Sequence, residues 1–143
     1  MIPLSTLILK AHIGSTLYMA GVIWFVQIVH YPLFGLVGKN EFQTYERSHQ
    51  TRTTFVVAGP MVIELLSGLY LVWQQSMNNS YPLLLCGLVL LGLIWASTFL
   101  IQVPVHEKLS RDSNSGLIFK LVTTNWIRTL AWTARALIVL FLF

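Results

Sequence analysis

Thr53 to Trp73 reads TTFVVAGPMVIELLSGLYLVW, 21 residues with one charged side chain, Glu64, near the middle. At a rise of ~1.5 Å per residue, a helix of this length crosses the hydrocarbon core of a bilayer. A carboxylate at that depth costs roughly 3 kcal/mol even on insertion scales. The chain must therefore give Glu64 a partner, a proton or a task. The last apolar stretch, Leu121 to Phe143 (LVTTNWIRTLAWTARALIVLFLF), offers two cations, Arg128 and Arg135. The remainder reads as a frame that brings these three groups together.

Composition points the same way. Of 143 residues, 55% are hydrophobic and 10% charged, against about 25% charged in soluble domains. The mean hydropathy is +0.69. The single cysteine, Cys86, lies in an apolar run, which excludes a disulfide framework and a cysteine metal site. The net charge is +4, but the cations flank or enter apolar stretches, which argues against a nucleic-acid partner. The opening MIPLSTLILK lacks a basic region ahead of its apolar run and a small-residue cleavage site. It reads as the start of a first span rather than a cleavable signal.

Four apolar segments stand out, at about 8–36, 53–73, 82–103 and 121–143, in one transmembrane domain covering 1–143. The first connection holds Lys39, Arg47 and Arg52, the second (Gln74 to Tyr81) no cation, and the third Lys108, Arg111 and Lys120. Short connections rich in Lys and Arg stay cytoplasmic. Loops 38–52 and 104–120 are therefore expected in the cytoplasm and both termini outside. The expected location is a bacterial inner membrane. The fold class is all-α, an integral membrane four-helix bundle.

An internal repeat suggests how the bundle is built. Gly21-Val22-Ile23-Trp24 recurs as Gly92-Leu93-Ile94-Trp95, an offset of 71 residues that also matches Glu64 with Arg135. Two tandem helical hairpins related by a pseudo-twofold axis along the membrane normal would place both tryptophans at one depth. Polar stripes at helical spacing are expected to converge inside. They are Trp24, Gln27 and Tyr31 with His30 beside them; Pro60, Glu64, Ser67 and Leu71; Trp95, Thr98, Gln102 and His106; and Asn125, Arg128, Trp132 and Arg135. Pro32 and Pro104 read as helix ends or kinks at the cytoplasmic edge.

Glu64 with Arg135 and Arg128 is the leading candidate for catalytic or proton-handling chemistry; its rival is a structural ion pair. Two arginines against one carboxylate leave a cationic pocket suited to an anionic or carbonyl-bearing ligand, because arginine stays charged. Gln27, Gln102 and Asn125 are candidate ligand contacts. Trp24, Trp95, Trp126 and Trp132 could cage a flat molecule. His30 and His106 could serve in proton relay or bind haem or a metal; no metal ligand set is assigned and the cofactor stays unknown. Glu46-x-x-His49 has the spacing used in di-iron bundles, but occurs once, in a charged stretch, and reads as a solvated helix face.

The segment Gln102-Val-Pro-Val-His106-Glu-Lys-Leu, followed by Asn125-Trp126-Ile-Arg128-Thr and Trp132-Thr-Ala-Arg135, resembles the anthrone oxygenase-like group of small four-helix membrane proteins of unknown function. The resemblance covers part of the second half of the chain. In that group a proline ends the third span and a Trp and an Arg sit in the fourth. It implies a four-helix bundle, cofactor-independent oxygenation of a lipophilic aromatic, and Asn125, Trp126, Arg128, Trp132 and Arg135 as pocket residues. Glu64 and His30-Tyr31-Pro32 have no counterpart in it.

The expected function is a buried Glu/Arg/Trp site for a small lipophilic carbonyl or acidic molecule, with an oxidoreductase-like activity left open. The alternatives are a small proton-coupled transporter, a haem- or metal-binding redox protein, and a structural accessory subunit. Membrane lipid is the expected surroundings, with a homo-oligomer left open.

Overall fold

The computed structural model describes residues 3–74 and 81–142. Those residues are helical, with no strand among them. Four long helices account for nearly all of them: α1 (Leu4–Leu36), α2 (Lys39–Gln74), α3 (Tyr81–Leu109) and α4 (Ser115–Leu142). They pack in a ring, α1 against α2 and α4, and α3 against α2 and α4. Helices α1, α2 and α3 are long and apolar enough to cross a membrane. α4 has the length, at 28 residues, but Asn125, Arg128 and Arg135 make it less apolar. All three side chains are buried.

The burial pattern reverses that of a water-soluble bundle. Phe55, Leu100 and Phe141 are among the many large apolar side chains on the outside, whereas Glu46, Glu64, Gln102 and Asn125 are inside. Between the polar layers runs an apolar core that includes Met19, Ile23, Phe34, Ile94, Leu121 and Trp132. The cation-free connection expected between α2 and α3 falls on residues 75–80, outside the described residues.

Two expectations about the connections need correction. The stretch expected as a loop at 38–52 is the first part of one unbroken helix of 36 residues. At ~1.5 Å per residue that helix is about 54 Å long. It runs as helix because it contains no Gly or Pro before Gly59, and because Phe42, Glu46 and His49 repeat on one face that packs inward. The third connection is likewise shorter than expected, because α3 continues to Leu109 and α4 begins at Ser115. Asn114 starts α4 by accepting from the amides of Gly116 and Leu117 at 2.8 and 3.3 Å, the usual service of an N-cap side chain.

Neither Pro32 nor Pro104 ends its helix. Each follows a one-turn π segment, Val26–His30 in α1 and Thr98–Gln102 in α3. The π turns close with Tyr31 N–H bonding to Val26 O and Val103 N–H to Thr98 O. Each proline then sits at the start of a fresh α segment, where no amide proton is required. A π turn also inserts one residue into the helical register. The polar face read from Trp24 therefore does not run straight into Gln27 and Tyr31: Trp24 is 40% exposed, and the other two are buried.

Phe34 closes the end of the bundle where the two proline turns meet. Its ring lies 5.5 Å from Tyr31, 6.1 Å from Phe42 and 5.1 Å from His49, centroid to centroid. Phe34→Ala is expected to lower stability by about 3–5 kcal/mol, as for other buried aromatic truncations. Phe55→Ala, on the outer face, should stay within about 0.5 kcal/mol. Thermal unfolding of detergent-purified variants checks both.

Candidate functional site

Polar side chains inside the bundle form three groups, stacked along its length. The first surrounds Glu64 and draws on all four helices. Thr16 of α1 donates to Glu64 Oε1 at 2.7 Å, Arg135 of α4 donates to the same oxygen from Nη2 at 3.1 Å, and Trp132 Nε1 donates to Oε2 at 3.0 Å. Arg135 Nη1 donates to the Gly87 carbonyl of α3. One turn on, His12 Nδ1 and Ser67 Oγ lie 2.8 Å apart. Ser67 spends its proton on Ile63 O at 2.5 Å, so His12 is the donor to Ser67.

This group leaves Arg135 Nε buried without a partner, and its other polar atoms engage one another. The cavity beside it, lined by His12, Gly87 and Arg135 among others, holds about 20 Å³, space for about one water molecule. A Cβ at Gly87 would lie 3.8 Å from Arg135 Nη1, an ordinary van der Waals contact. Arg128, expected beside Glu64, belongs to a different group.

The second group ties α1 to α4. Asn125 Nδ2 donates to Gln27 Oε1 at 2.9 Å, Gln27 Nε2 donates to Val122 O at 3.1 Å, and Thr129 donates to Gln27 Oε1 at 3.3 Å. Arg128 Nη1 reaches Asn125 Oδ1 at 3.3 Å, and its guanidinium lies 5.4 Å from the Trp132 ring centroid, a cation–π distance. Arg128 has no carboxylate among its hydrogen-bond partners in the described residues, and its Nε is buried without one.

The third group lies where the proline turns face the first part of α2, and it corrects the reading of Glu46 and His49. Neither is on a solvated face. Glu46 is fully buried and His49 nearly so. His106 Nδ1 contacts Glu46 Oε1 at 2.5 Å and Tyr31 OH lies 2.9 Å from His106 Nε2. Gln50 Nε2 donates to Glu46 Oε1 at 3.1 Å and to His106 O at 3.0 Å. His30 Nε2 and His49 Nδ1 lie 2.8 Å apart, and the His49 and His106 rings are 5.1 Å apart, centroid to centroid. The missed signal was the spacing of Phe42, Glu46, His49 and Thr53, which continues the inward face of α2 back from Glu64.

His49 borders two open cavities. One, of about 230 Å³, is lined by Tyr31, His49, Thr98, Gln102, His106 and Arg128 among others. The other, of about 460 Å³, lies between α1 and α2 against Val26, His30, Tyr45, His49 and Arg52. The tryptophans do not form a cage around either. Trp24 and Trp126 meet edge to face at 5.7 Å on the outside of the α1–α4 seam, with Trp24 Nε1 donating to Thr133 at 3.0 Å. Trp95 packs on Phe99. Only Trp132 is fully buried, as a donor to Glu64. Among the described residues, no group of three or more His, Cys, Asp and Glu side chains is arranged to hold a metal ion.

No family model, curated protein or solved structure matches the chain. The resemblance to the anthrone oxygenase-like group therefore rests on the quoted residues alone.

Removing one partner of a buried, charged contact leaves the other stranded, at a cost of about 3–5 kcal/mol. Glu64→Gln and Arg135→Leu should each lower the melting temperature of the purified protein, and the double variant should recover part of the loss. Strictly additive losses would show that the two side chains act independently.

Proposed function

We propose that the chain is an integral membrane protein that binds a small lipophilic molecule with a carbonyl or acidic group. The binding place is the cavity of about 230 Å³ between Tyr31, Gln102, His106 and Arg128. One observation carries this reading: Gln102 Oε1 and Arg128 Nε are both buried without a hydrogen-bond partner, and both residues line this cavity. Unsatisfied buried polar atoms each cost about 1–3 kcal/mol, and a small turn of either side chain toward the cavity would let a bound ligand recover that cost.

The two atoms also select the ligand. Gln102 Nε2 is engaged with Thr124 Oγ1 at 3.0 Å, which leaves Oε1 to accept. Arg128 can only donate. A carboxylic acid or an enolised ketone has both complements, an oxygen for Arg128 and an O–H for Gln102. The volume approaches the roughly 300 Å³ at the lower end of small-molecule sites. Glu64 and Arg135 then serve as an ion pair that pins the helices rather than as the site itself. The space of about 20 Å³ beside them supports that division.

The remaining parts of the reading concern placement in the membrane. We infer that the first part of α2 and the α3–α4 connection are cytoplasmic, from Lys39, Arg47, Arg52, Lys108 and Arg111. This puts the ligand cavity toward the cytoplasmic side. The two π turns, Val26–His30 and Thr98–Gln102, lie 72 residues apart and each precede a proline by two positions, which supports paired hairpins in a register one residue off the offset of 71 that relates Trp24 to Trp95.

Dodecanoate serves as a first probe. Its affinity for the detergent-purified protein, read by isothermal titration, should fall roughly tenfold to a hundredfold in Arg128→Leu, the worth of a charge-assisted hydrogen bond. Arg52→Leu, in the neighbouring cavity, should leave it unchanged; the reverse order would move the site there. For orientation, Asp112→Cys in a Cys86→Ala background should react with an impermeant maleimide from the cytoplasmic face only. Labelling from the other face would invert the topology.

A further inference from the structure

We propose that Glu46, His106 and Tyr31 form an acid–base relay that exchanges a proton with the molecule bound beside Arg128. This rests on the ligand reading above and adds a reaction to it: reversible proton transfer at a carbon next to the ligand's carbonyl.

The geometry is that of a base held by one partner and presented to another. His106 Nδ1 lies 2.5 Å from Glu46 Oε1, and the tautomer that donates there has Nε2 as its acceptor atom. Tyr31 then donates its phenolic proton to Nε2 at 2.9 Å. Three helices contribute one residue each, and Tyr31 and His106 both line the cavity of about 230 Å³. Gln50 braces the far end by donating to Glu46 Oε1 and to the His106 carbonyl. Phe34 closes the relay from below, with its ring 5.5 Å from Tyr31 and 6.3 Å from His106.

Stability does not account for this arrangement. Glu46 is fully buried, no Lys or Arg is among its partners in the described residues, and its Oε2 has no hydrogen-bond partner at all. Among the described residues its one possible cation is His106, so the buried carboxylate is costly whenever that ring is neutral. The contrast is Glu64, which has an arginine, a tryptophan and a threonine. A carboxylate that can take up a proton as His106 gains one is what a relay needs. The other groups facing the relay are His49, its neighbour His30, Tyr45 near Glu46, Arg128 beside Tyr31, and Gln102.

The step balances without any redox partner. The Tyr31 proton moves to His106 Nε2, and the Nδ1 proton moves onto Glu46 Oε1. The Tyr31 oxygen then takes the proton from the ligand's α-carbon. The electron pair of the broken C–H bond settles on the carbonyl oxygen as an enolate, opposite the Arg128 guanidinium. Return of the protons along the same path gives the enol or restores the ketone. The substrate class is a lipophilic ketone with an acidic α-hydrogen.

The test uses a lipophilic aryl sulfonyl fluoride on the purified full chain. The reagent forms an S–O bond to a phenol oxygen as fluoride leaves, and the phenol proton goes to a neighbouring base. Tyr31 should be labelled at least roughly tenfold faster than Tyr18, Tyr70 and Tyr81, as read by peptide mass spectrometry, within the usual worth of a positioned base. His106→Gln and Glu46→Gln should erase that advantage while labelling of those three reference tyrosines stays constant, which shows the variants to be folded. In parallel, wild-type protein should speed deuterium exchange at the α-carbon of 1-phenylbutane-1,3-dione, and Tyr31→Phe should lose that rate while still binding the dione. Tyr31 labelling that is slow, or indifferent to His106, overturns the relay even if dodecanoate binds. His106-dependent labelling without dodecanoate binding upholds the relay and sinks the choice of ligand.

Discussion

The contact on which the bundle depends is the set of hydrogen bonds around Glu64. There a side chain or carbonyl from each of the four helices meets: Thr16 from α1, Glu64 from α2, Gly87 O from α3, and Trp132 and Arg135 from α4. Apolar packing alone does not choose among the many ways to rotate apolar helices against one another, since apolar burial is non-directional. A buried carboxylate does choose, because any rotation that strands it is penalised by several kcal/mol. The same register that satisfies Glu64 carries Ser67 to His12 and sets the first part of α2 against the ends of α1 and α3.

From that constraint follows a division of labour between the two ends of the bundle. Around Glu64 most polar groups are spent on one another, Arg135 Nε being the atom left without a partner, and the space beside them holds about one water molecule. Around Glu46 they are not: one carboxylate oxygen, one amide oxygen of Gln102 and one guanidinium nitrogen of Arg128 have no hydrogen-bond partner, and cavities open on both sides of His49. Saturated polar clusters hold folds together, whereas unsaturated ones beside open space are where ligands gain binding energy. The π turns belong to the second kind of region. They sit at Val26–His30 and Thr98–Gln102, so that His30, Tyr31, Gln102 and His106 all follow or end a turn. Such turns gather at functional sites in helical proteins because they re-aim side chains without breaking the helix.

Much of this was legible from the sequence, for reasons of cost. The apolar stretches dictate helices, since a buried backbone must satisfy its own amides and carbonyls. Asn125, Arg128, Trp132 and Arg135 share one face of α4 by simple periodicity, and all four are buried. Glu64 in an apolar run demands a cation, and Arg135 is the one that donates to it. Gln102, His106 and Arg128 were legible as site candidates because polar side chains in apolar stretches need a place to point. Glu46 and His49 were misread because local composition was allowed to outweigh helical phase: their neighbours Arg47, Gln50 and Arg52 suggest water, yet only one face of a helix has to be wet. The tryptophans failed in the opposite way, since an aromatic ring is at home on either side of a helix exposed to apolar surroundings.

By itself, then, the sequence determined an all-helical chain, the lengths of its apolar stretches, the inward stripe of α4 and the need for Glu64 to be met. These properties depend on the hydrophobicity and spacing of residues close in the chain. Tertiary structure alone decided which arginine meets Glu64 and which is left beside a cavity, that Glu46 lies against His106 and Tyr31, and that Trp24 points outward. Those outcomes turn on the relative rotation of helices and on one-residue register shifts at two π turns. A rotation or a shift of that kind changes no residue's hydrophobicity, so no pattern along the chain announces it.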